Sequence, residues 1–308
     1  MSSKTALIIR ATGTQGKGTI KSLLATGWKV HAFVNDASTD RAQALKKLGD
    51  GVSLYQGTLE DGSSIEAAAK GCRAAFFTQM PDFTQADPVA HEVQQARTFV
   101  EVAKSAGIKH VVFSTQLGLF DPEIHLKKEW TETILRPAII GKYEVEKIIR
   151  DSGIGWTILR PGWFMTNLLP PSLDFFAPGS KEGKLTVSYR PEGVLGAVDP
   201  DDIGEFVAAA FNLPEKFLGK HVPVASEYLT TTEVFDQFIQ ATGKPLRVHY
   251  RSKEENEIET ARNPFILGQT LTHGLEKLTT MEEIRSWGVP LTPFSEFLKK
   301  HKEELATI

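Results

Sequence analysis

A glycine-bearing turn near the N-terminus has the composition of a phosphate-binding loop. The segment 9–16 reads Ile-Arg-Ala-Thr-Gly-Thr-Gln-Gly and lies between a short apolar run and a helical pattern. At such a turn, backbone N–H groups and the positive start of the helix bind linked phosphates, provided that no side chain covers them. Gly13 lets the phosphates approach the chain, and Gly16 lets the helix pack closely on its strand. The turn therefore predicts a dinucleotide site.

Histidine, cysteine and carboxylate residues are placed too far apart to suggest a metal site. His91, His110, His125 and His221 are isolated from one another and from any set of residues with metal-ligand spacing, so we predict no metal. Cys72 is the single cysteine, which excludes an internal disulfide framework and is typical of a reducing compartment. Because it lies beside an apolar run, we predict a buried and unreactive thiol.

The elements that must position the turn alternate along the first half of the chain. Short apolar runs rich in β-branched and aromatic residues are separated by helical patterns over 17–26 and 91–105, which is typical of a parallel sheet covered on both faces. Right-handed crossovers place the carboxyl ends of such strands along one edge, where ligands bind. The predicted strands are 6–9, 30–34, 52–55, 74–77, 110–114 and 156–160.

The second half has a different texture, with prolines and glycines clustered over 170–183. It contains a helical pattern over 199–211, a late strand at 221–224 whose proline indicates a sheet edge, and a capping box at 230–233 before a helix over 234–241. A terminal helix is predicted at 294–298. We therefore predict an α/β fold with a doubly wound parallel sheet, of the Rossmann type, and a smaller C-terminal α/β lobe. The predicted domains are 1–160, completed by segments near 199–225, and 161–308.

Composition limits the classes of partner. The 308 residues are 41% hydrophobic and 24% charged with a formal net charge of −3, which is ordinary for a globular protein and offers no basic footprint for direct nucleic-acid binding. No apolar stretch is long enough to span a membrane, and no signal-peptide pattern is visible. We expect a soluble protein of the cytoplasm or the nucleus, with a small-molecule substrate or a protein partner.

Several motifs together resemble one family. The run Ala-Thr-Gly-x-Gln-Gly at 11–16 resembles the hallmark of NmrA-like proteins, which are atypical members of the short-chain dehydrogenase/reductase superfamily. The resemblance covers nearly the whole chain and implies NADP binding on a Rossmann domain. The other matching segments are Gln56–Asp61, Ala106–Val112, Gly141–Glu146, Leu159–Phe164 with Asn167, Asp201–Gly204 and Leu229–Thr230.

The same resemblance implies a set of residues around the cofactor. These follow the strands at the ligand edge or leave strand six, where relatives close over the nicotinamide. The cofactor-binding residues so predicted are Ala11, Thr12, Gly13, Thr14, Gln15, Gly16, Asn35, Asp36, Thr58, Leu59, Thr78, Gln79, Met80, Lys142, Trp163, Phe164 and Asn167.

Three departures from the family pattern concern the cofactor, and one of them is Thr58, which replaces an acidic residue often found near the adenine. Arg10 occupies a position where the family normally has glycine; if the turn needs a positive φ there, the strain is on the order of 1 kcal/mol or more. Alternatively, its guanidinium reaches the cofactor phosphates. Where the family usually supplies an arginine for the 2′-phosphate of NADP, this chain has Asn35 and Asp36. Asp36 suits a ribose hydroxyl of NAD and repels a 2′-phosphate, so NADP is expected from the family and NAD from the local chemistry.

The resemblance also bears on proton transfer. Reductases of the superfamily use a tyrosine and a lysine four residues later, a spacing that Tyr143 and Lys147 share. The family pattern Lys-x-Glu-x-Glu instead selects Lys142, and the tyrosine position then falls on Ala138, which has no proton to give. Lys142 is therefore predicted either as the catalytic general acid or base or as a ribose ligand only. The hydroxyls of Ser114 and Thr115 either orient a substrate or cap the backbone.

Two functions remain open from the sequence. The first is an NAD(P)(H)-dependent oxidoreductase acting on a small, largely apolar carbonyl-type or conjugated metabolite, with secondary metabolism as the context. The second is a non-catalytic redox sensor that binds the cofactor and regulates a transcription factor or another protein partner. The aromatic residues Phe175, Phe176 and Tyr189 either line an apolar substrate pocket or form the core of the lobe.

Overall fold

The computed structural model describes residues 4–272 and 274–308. These residues form twelve strands and fifteen α-helices. The strands are β1 (Thr5–Ile8), β2 (Lys29–Val34), β3 (Val52–Gln56), β4 (Ala74–Phe77), β5 (His110–Ser114), β6 (Gly155–Pro161), β7 (Trp163–Phe164), β8 (Lys184–Val187), β9 (Val194–Val198), β10 (Lys220–Val224), β11 (Glu227–Thr230) and β12 (Arg247–Tyr250). The helices are α1 (Thr14–Ala25), α2 (Asp40–Lys46), α3 (Gly62–Ala69), α4 (Pro88–Ser105), α5 (Lys128–Thr131), α6 (Lys142–Arg150), α7 (Leu173–Phe176), α8 (Pro200–Asn212), α9 (Pro214–Phe217), α10 (Thr231–Thr242), α11 (Lys253–Arg262), α12 (Leu267–Thr270), α13 (Met281–Ser286), α14 (Phe294–Lys300) and α15 (Lys302–Leu305).

The main sheet has seven strands in the order β10-β6-β5-β4-β1-β2-β3. The neighbours from β6 through β3 pair in parallel. The chain runs outward from β1 to β3 and then crosses to the other side of β1, so that the strand order reverses between β1 and β4. Ligands of doubly wound sheets bind at such a switch point. The predicted Rossmann sheet is confirmed, each predicted strand lies within one residue of an observed one, and the late strand is β10 at the sheet edge.

The core of this sheet explains why its strands read as unbroken apolar runs. All residues of β1, β4 and β5 are buried, as expected for a parallel sheet with helices on both faces. Phe77 stacks on Phe99 of α4 with ring centroids 4.2 Å apart. At the start of α4, the side chain of Asp87 accepts hydrogen bonds from the N–H groups of Val89 and Ala90, which satisfies donors that a helix end leaves free.

The described residues divide into two compact units. The first comprises the chain up to Thr131 together with Arg136–Arg160 and Pro200–Val222, and the second comprises Glu132–Leu135, Pro161–Asp199 and Pro223–Ile308. The second unit holds a three-stranded sheet, β11-β9-β7, and a parallel pair of β12 and β8. Thr230 and Glu233 form the predicted capping box, although α10 begins earlier than predicted, at Thr231.

Two further sequence expectations concern single features. Cys72 is buried, and desolvation raises the pKa of its thiol to about 12, so that the thiolate is disfavoured. Within residues 4–272 and 274–308, no helix combines the length and the apolar character needed to cross a membrane.

Candidate functional site

The turn after β1 has an unusual backbone at its first position. Arg10 has a φ of +54°, and it is the one non-glycine residue with a positive φ in the described part of the chain. The turn is closed by a hydrogen bond from the Gly13 N–H to the Arg10 carbonyl at 2.9 Å and anchored by Ala11, whose N–H donates to Phe33 at 3.2 Å. The left-handed conformation considered in the sequence analysis is therefore present, and it costs about 1–2 kcal/mol for a residue with a side chain.

The N-terminus of α1 has no capping side chain. A Cβ atom on Gly16 would lie 2.6 Å from the Arg10 carbonyl oxygen, so close packing excludes any larger residue. A Cβ atom on Gly13 would meet only that same oxygen, at 3.2 Å, and would otherwise stand in open space. No side chain caps the helix at Gly13, and its first turn contains no acidic residue. The uncapped N–H groups and the positive helix end therefore fit a bound phosphate group.

Two arginines flank this turn. Arg41, in the first turn of α2, donates from Nη2 to the carbonyl oxygen of Thr12 at 3.3 Å. Desolvation and the charge of Arg41 both lower the pKa of Arg10, which shows that the two cations lie near each other. Asp36 turns one carboxylate oxygen toward Ser38, accepting from its N–H at 2.8 Å and from its hydroxyl at 2.7 Å. A phosphate at this turn would reduce the mutual repulsion of the two arginines.

Sequence reasoning missed Arg41 because it searched directly after β2. The helix start itself was readable: Thr39 caps α2 by accepting from the Ala42 N–H, and a threonine followed by an acidic residue is a common helix start. A basic residue in that first turn points back toward the glycine turn only once β1 and β2 are paired.

A pocket of about 420 Å³ lies in the first unit at the switch-point edge. This volume is within the range of small-molecule and cofactor pockets. The pocket brings together five residues that the sequence predicted for the cofactor with several that it did not. Its lining residues are Ile9, Arg10, Phe33, Asn35, Thr58, Leu59, Glu60, Gln79, Met80, Pro81, Asp82, His91 and Gln95.

A hydrogen-bond network organises one wall of the pocket. Glu60 accepts from Gln95 at 2.6 Å and pairs with His91 at 2.9 Å. Gln95 in turn accepts from the side-chain amide of Gln79 at 2.8 Å, and that amide also donates to the carbonyl oxygen of Glu92 at 3.0 Å. The side chain of Gln79 is thus directed inward, so its contribution to the pocket surface is small.

Lys142 lies behind this wall in a buried ion pair. Its Nζ donates to Oε1 of Glu92 at 2.6 Å and to the carbonyl oxygen of Gln79 at 2.8 Å. The side chain of Glu92 is fully buried, and that of Lys142 is 10% exposed. Desolvation lowers the pKa of Lys142, the Glu92 carboxylate opposes that effect, and the charge of Arg10 adds to it. Glu92 was not anticipated from the sequence, since a glutamate inside a long helix gives no local sign of its partner.

The backbone before Lys142 is adapted to this pair. Pro137–Gly141 forms a π-helical turn that leads directly into α6, a feature often found at functional sites. A Cβ atom on Gly141 would lie 2.4 Å from Oε2 of Glu92. Glycine at this position therefore allows the backbone to approach the buried carboxylate.

The alternative pair of Tyr143 and Lys147 points elsewhere. Tyr143 stacks on His125 with centroids 4.9 Å apart, and Lys147 is exposed. Helical register therefore places Lys142 inside and separates it from both residues. The Thr115 hydroxyl donates to Glu146 at 3.0 Å and to the Leu159 carbonyl at 3.2 Å, so it has the structural role considered earlier.

The remaining predicted residues fall in two places. Ala11, Thr12, Thr14 and Gln15 belong to the turn and the first residues of α1, and Thr78 is buried directly after β4. Trp163, Phe164 and Asn167 belong to the second unit, so their contact with a cofactor stays a prediction. Within that unit the Trp163 indole donates to the hydroxyl of Tyr189 at 2.8 Å.

The aromatic residues of the second unit are divided between core and surface. Tyr189 is buried in the core of that unit, while Phe175 is exposed and contacts Phe176 and Phe265. Across the described ranges, no three histidine, cysteine or carboxylate residues are grouped closely enough to hold a metal ion.

Sequence and structure comparisons relate the chain to one protein family and to several known proteins. A model of the NmrA-like family matches residues 2–292. The NAD(P)H azoreductase of Xenophilus azovorans is 24% identical over 310 residues, which cover 96% of this chain and 97% of that protein. The solved structure of the negative transcriptional regulator NmrA in complex with NAD has a TM-score of 0.71 and 20% identity, covering 100% of this chain and 98% of that one. The NADPH complex of an Escherichia coli quinone oxidoreductase has a TM-score of 0.69 and 21% identity, covering 96% and 99%.

Proposed function

The chain belongs to the NmrA-like family, and on that premise we propose that it is an NAD(P)H-dependent oxidoreductase with a preference for the phosphorylated cofactor. Its substrates in this proposal are small, largely apolar molecules that accept a hydride at a carbonyl or conjugated group, such as quinones. The relatives named as an NAD(P)H azoreductase and a quinone oxidoreductase support this class of substrate. A role in secondary metabolism is one setting for such an activity.

The observation that carries the proposal is the hydrogen bonding of the buried Lys142 ammonium group. An ammonium group has three N–H donors, of which Glu92 and the Gln79 carbonyl accept two. One donor remains for a ribose hydroxyl or for the oxygen atom of a substrate. Gln79, whose carbonyl oxygen accepts from the ammonium, is one of the residues that line the pocket. A buried lysine held in this way suits proton transfer better than simple attachment of a cofactor.

The preference for NADPH rests on the two arginines beside the glycine turn. Nicotinamide dinucleotides supply the hydride in such reactions, and their pyrophosphate suits the uncapped start of α1. Arg41 is proposed to bind the additional 2′-phosphate, because its guanidinium already reaches Thr12 of the turn. Asp36 opposes this preference by its charge, although Ser38 engages one of its oxygens.

The proposal is tested first by calorimetric titration with NAD⁺, NADH, NADP⁺ and NADPH. We expect NADPH to bind most tightly. Turnover is then followed as NADPH oxidation with a panel of quinones, azo dyes and simple ketones. Lys142→Met should lower kcat by about 100- to 10,000-fold, the usual contribution of a general acid, while Lys147→Met on the exposed face of α6 serves as the control. Activity that is unchanged in Lys142→Met would contradict the proposal.

A cofactor-sensing function is the second candidate, and one specific observation favours it. The position that holds the tyrosine in the superfamily is Ala138, whose side chain has no proton to transfer. A sensor should bind oxidised and reduced cofactors with different affinities and show no turnover with any substrate of the panel. The same titrations therefore separate the two functions.

A further inference from the structure

We propose that Glu92 is the positioning residue of Lys142, fixing its ammonium group and keeping it protonated so that Lys142 donates a proton and does not remove one. This inference rests on the proposed oxidoreductase function and assigns a direction to its proton transfer. It concerns a residue in the middle of α4, remote in sequence from both the glycine turn and α6.

The geometry holds the ammonium from two sides. Glu92 Oε1 lies 2.6 Å from Nζ of Lys142, and the Gln79 carbonyl oxygen lies 2.8 Å from the same atom. The side chain of Gln79 is itself bound to the main chain of Glu92 and to Gln95. Gln79 is therefore tied to the main chain of α4 at the residue that carries the carboxylate, and two of the three N–H groups of Lys142 have acceptors on these two residues.

The carboxylate has little freedom to move. Glu92 is fully buried, and the backbone at Gly141 packs so closely that a Cβ atom there would lie 2.4 Å from Oε2. In the described part of the chain, Oε2 has no hydrogen-bond partner. A buried carboxylate with one unpaired oxygen is unfavourable for stability alone, which is consistent with a functional reason for its position.

Charge decides which form of Lys142 predominates. The charged groups that act on its amine are Glu92 from α4 and Arg10 from the turn after β1. Burial and Arg10 both favour the neutral amine, and Glu92 favours the ammonium. Without the carboxylate, only the hydrogen bond to the Gln79 carbonyl would still favour the ammonium, against burial and the charge of Arg10.

With a carbonyl substrate, Lys142 would supply the proton that turns the reduced oxygen into a hydroxyl group. A reduced nicotinamide dinucleotide would supply the hydride: one of its C–H bonds would break as the C–H bond of the alcohol forms, and the nicotinamide would be oxidised by two electrons. The electron pair of the C=O π bond would move to oxygen. An N–H bond of Lys142 breaks, its electron pair stays on Nζ, and the proton forms the O–H bond of the alcohol. The neutral amine, still beside Glu92, then takes up a proton from the solvent, which is the one proton that the overall reduction consumes. The carboxylate makes this last step favourable because it restores the ion pair.

The test measures the protonation of Lys142 directly, in the protein without cofactor. Lysine is labelled isotopically, its side-chain carbon shifts are followed by NMR as pH is varied, and Lys142→Met assigns the signal. Burial lowers the pKa of Lys142 from its usual range, and the Glu92 carboxylate opposes part of that effect. In the wild-type protein we expect this opposition to keep the ammonium charged at about pH 7. A neutral amine at this pH would overturn the inference without any variant of Glu92.

Substitution of the carboxylate then isolates its effect. Glu92→Gln keeps the shape and a hydrogen-bond acceptor but removes the charge, so the Lys142 pKa should fall by about one unit or more. Glu101→Gln, on the exposed face of the same helix, should leave it unchanged. A Lys142 pKa in Glu92→Gln equal to that of the wild type would overturn the inference.

Kinetics supply a second and independent readout. The limb of the kcat profile that reports the acid should move to lower pH in Glu92→Gln, with little change in KM for NADPH, and Glu92→Asp should restore part of the wild-type profile. A purely structural glutamate would reduce activity equally at all pH values. Because the NMR titration needs neither cofactor nor substrate, failure of the oxidoreductase proposal and failure of the Glu92 inference give different results.

Discussion

The basic residues of the first unit fall into two contrasting groups. Arg10 and Arg41 are exposed cations beside an uncapped helix start, whereas Lys142 is buried and paired with Glu92. Arg10 is partly desolvated, which lowers its pKa, but both arginines still contact water. Unneutralised charge at such a surface attracts a mobile anion and costs less in an empty site than a charge in the core. A buried charge is tolerated only when the protein supplies its partner. The first group thus suits binding of phosphates, and the second suits controlled proton transfer.

The prediction with the largest expected effect removes Glu92, the carboxylate partner of the buried Lys142 ammonium. Glu92→Ala leaves an ammonium without its carboxylate in the interior, and loss of one member of a buried pair costs about 3–5 kcal/mol of unfolding free energy. Chemical denaturation monitored by circular dichroism measures this change. The double variant Glu92→Ala/Lys142→Met should recover part of the loss, and an equal loss in the single and double variants would contradict the ion-pair explanation.

A second prediction uses His110, a buried basic group with no carboxylate partner among the residues that the structure describes. His110 bonds through Nε2 to the Thr157 hydroxyl at 2.8 Å, and burial lowers its pKa to about 4. The unfolded chain, with a histidine pKa near 6.5, therefore binds more protons below that pH. The free energy of unfolding should therefore be highest above about pH 6.5 and decrease as the pH drops toward 4. The loss should reach about 2 kcal/mol at about pH 5.

Denaturation curves at several pH values measure the effect of His110. His110→Gln removes this titration and should flatten the curve in the same interval, whatever its stability at neutral pH. A wild-type protein as stable at about pH 5 as at pH 7 would show that the imidazole is not kept neutral by the fold.

The role of the exposed basic residues is tested by substitution of Arg41. Arg41→Gln should weaken NADPH binding by about 10-fold or more, the magnitude of one charge-assisted phosphate contact. NADH binding should change little, and raising the salt concentration should weaken NADPH binding more in the wild type than in the variant. Calorimetry provides both constants. An equal loss for NADH and NADPH would assign Arg41 to the pyrophosphate or to the fold.

The smallest expected effect is at Arg10, where a glycine substitution separates backbone strain from a contribution to dinucleotide binding. Arg10→Gly removes a side chain from a backbone with positive φ and should stabilise the protein by about 1 kcal/mol in thermal or chemical unfolding. If the guanidinium contacts the phosphates, dinucleotide affinity should fall at the same time. Greater stability with unchanged affinity would leave the arginine without a role in cofactor binding.

Much of the architecture could be predicted from local patterns. The fully buried β4 and β5 were found with their observed bounds, because apolar runs between turn signals are a local property of parallel strands. The start of α10 was less accurate, since the capping threonine and the helix residues after it are all polar. Lys142 was selected over Lys147 by its place in a motif, and the structure adds the reason that only Lys142 faces inward.

The sequence by itself determined the succession of strands and helices along the chain, the uncapped turn at Gly13 and Gly16, and the resemblance to the NmrA-like family. Each of these depends on residues that are neighbours in the chain. The tertiary structure alone decided what surrounds the two groups of cations. Arg41 reaches Thr12 because β1 and β2 pair, and Glu92 meets Lys142 because α4 and α6 pack side by side across fifty residues of sequence. Charge pairing inside a protein depends on distance in space and on exclusion of water, and neither is written in the spacing of residues along the chain.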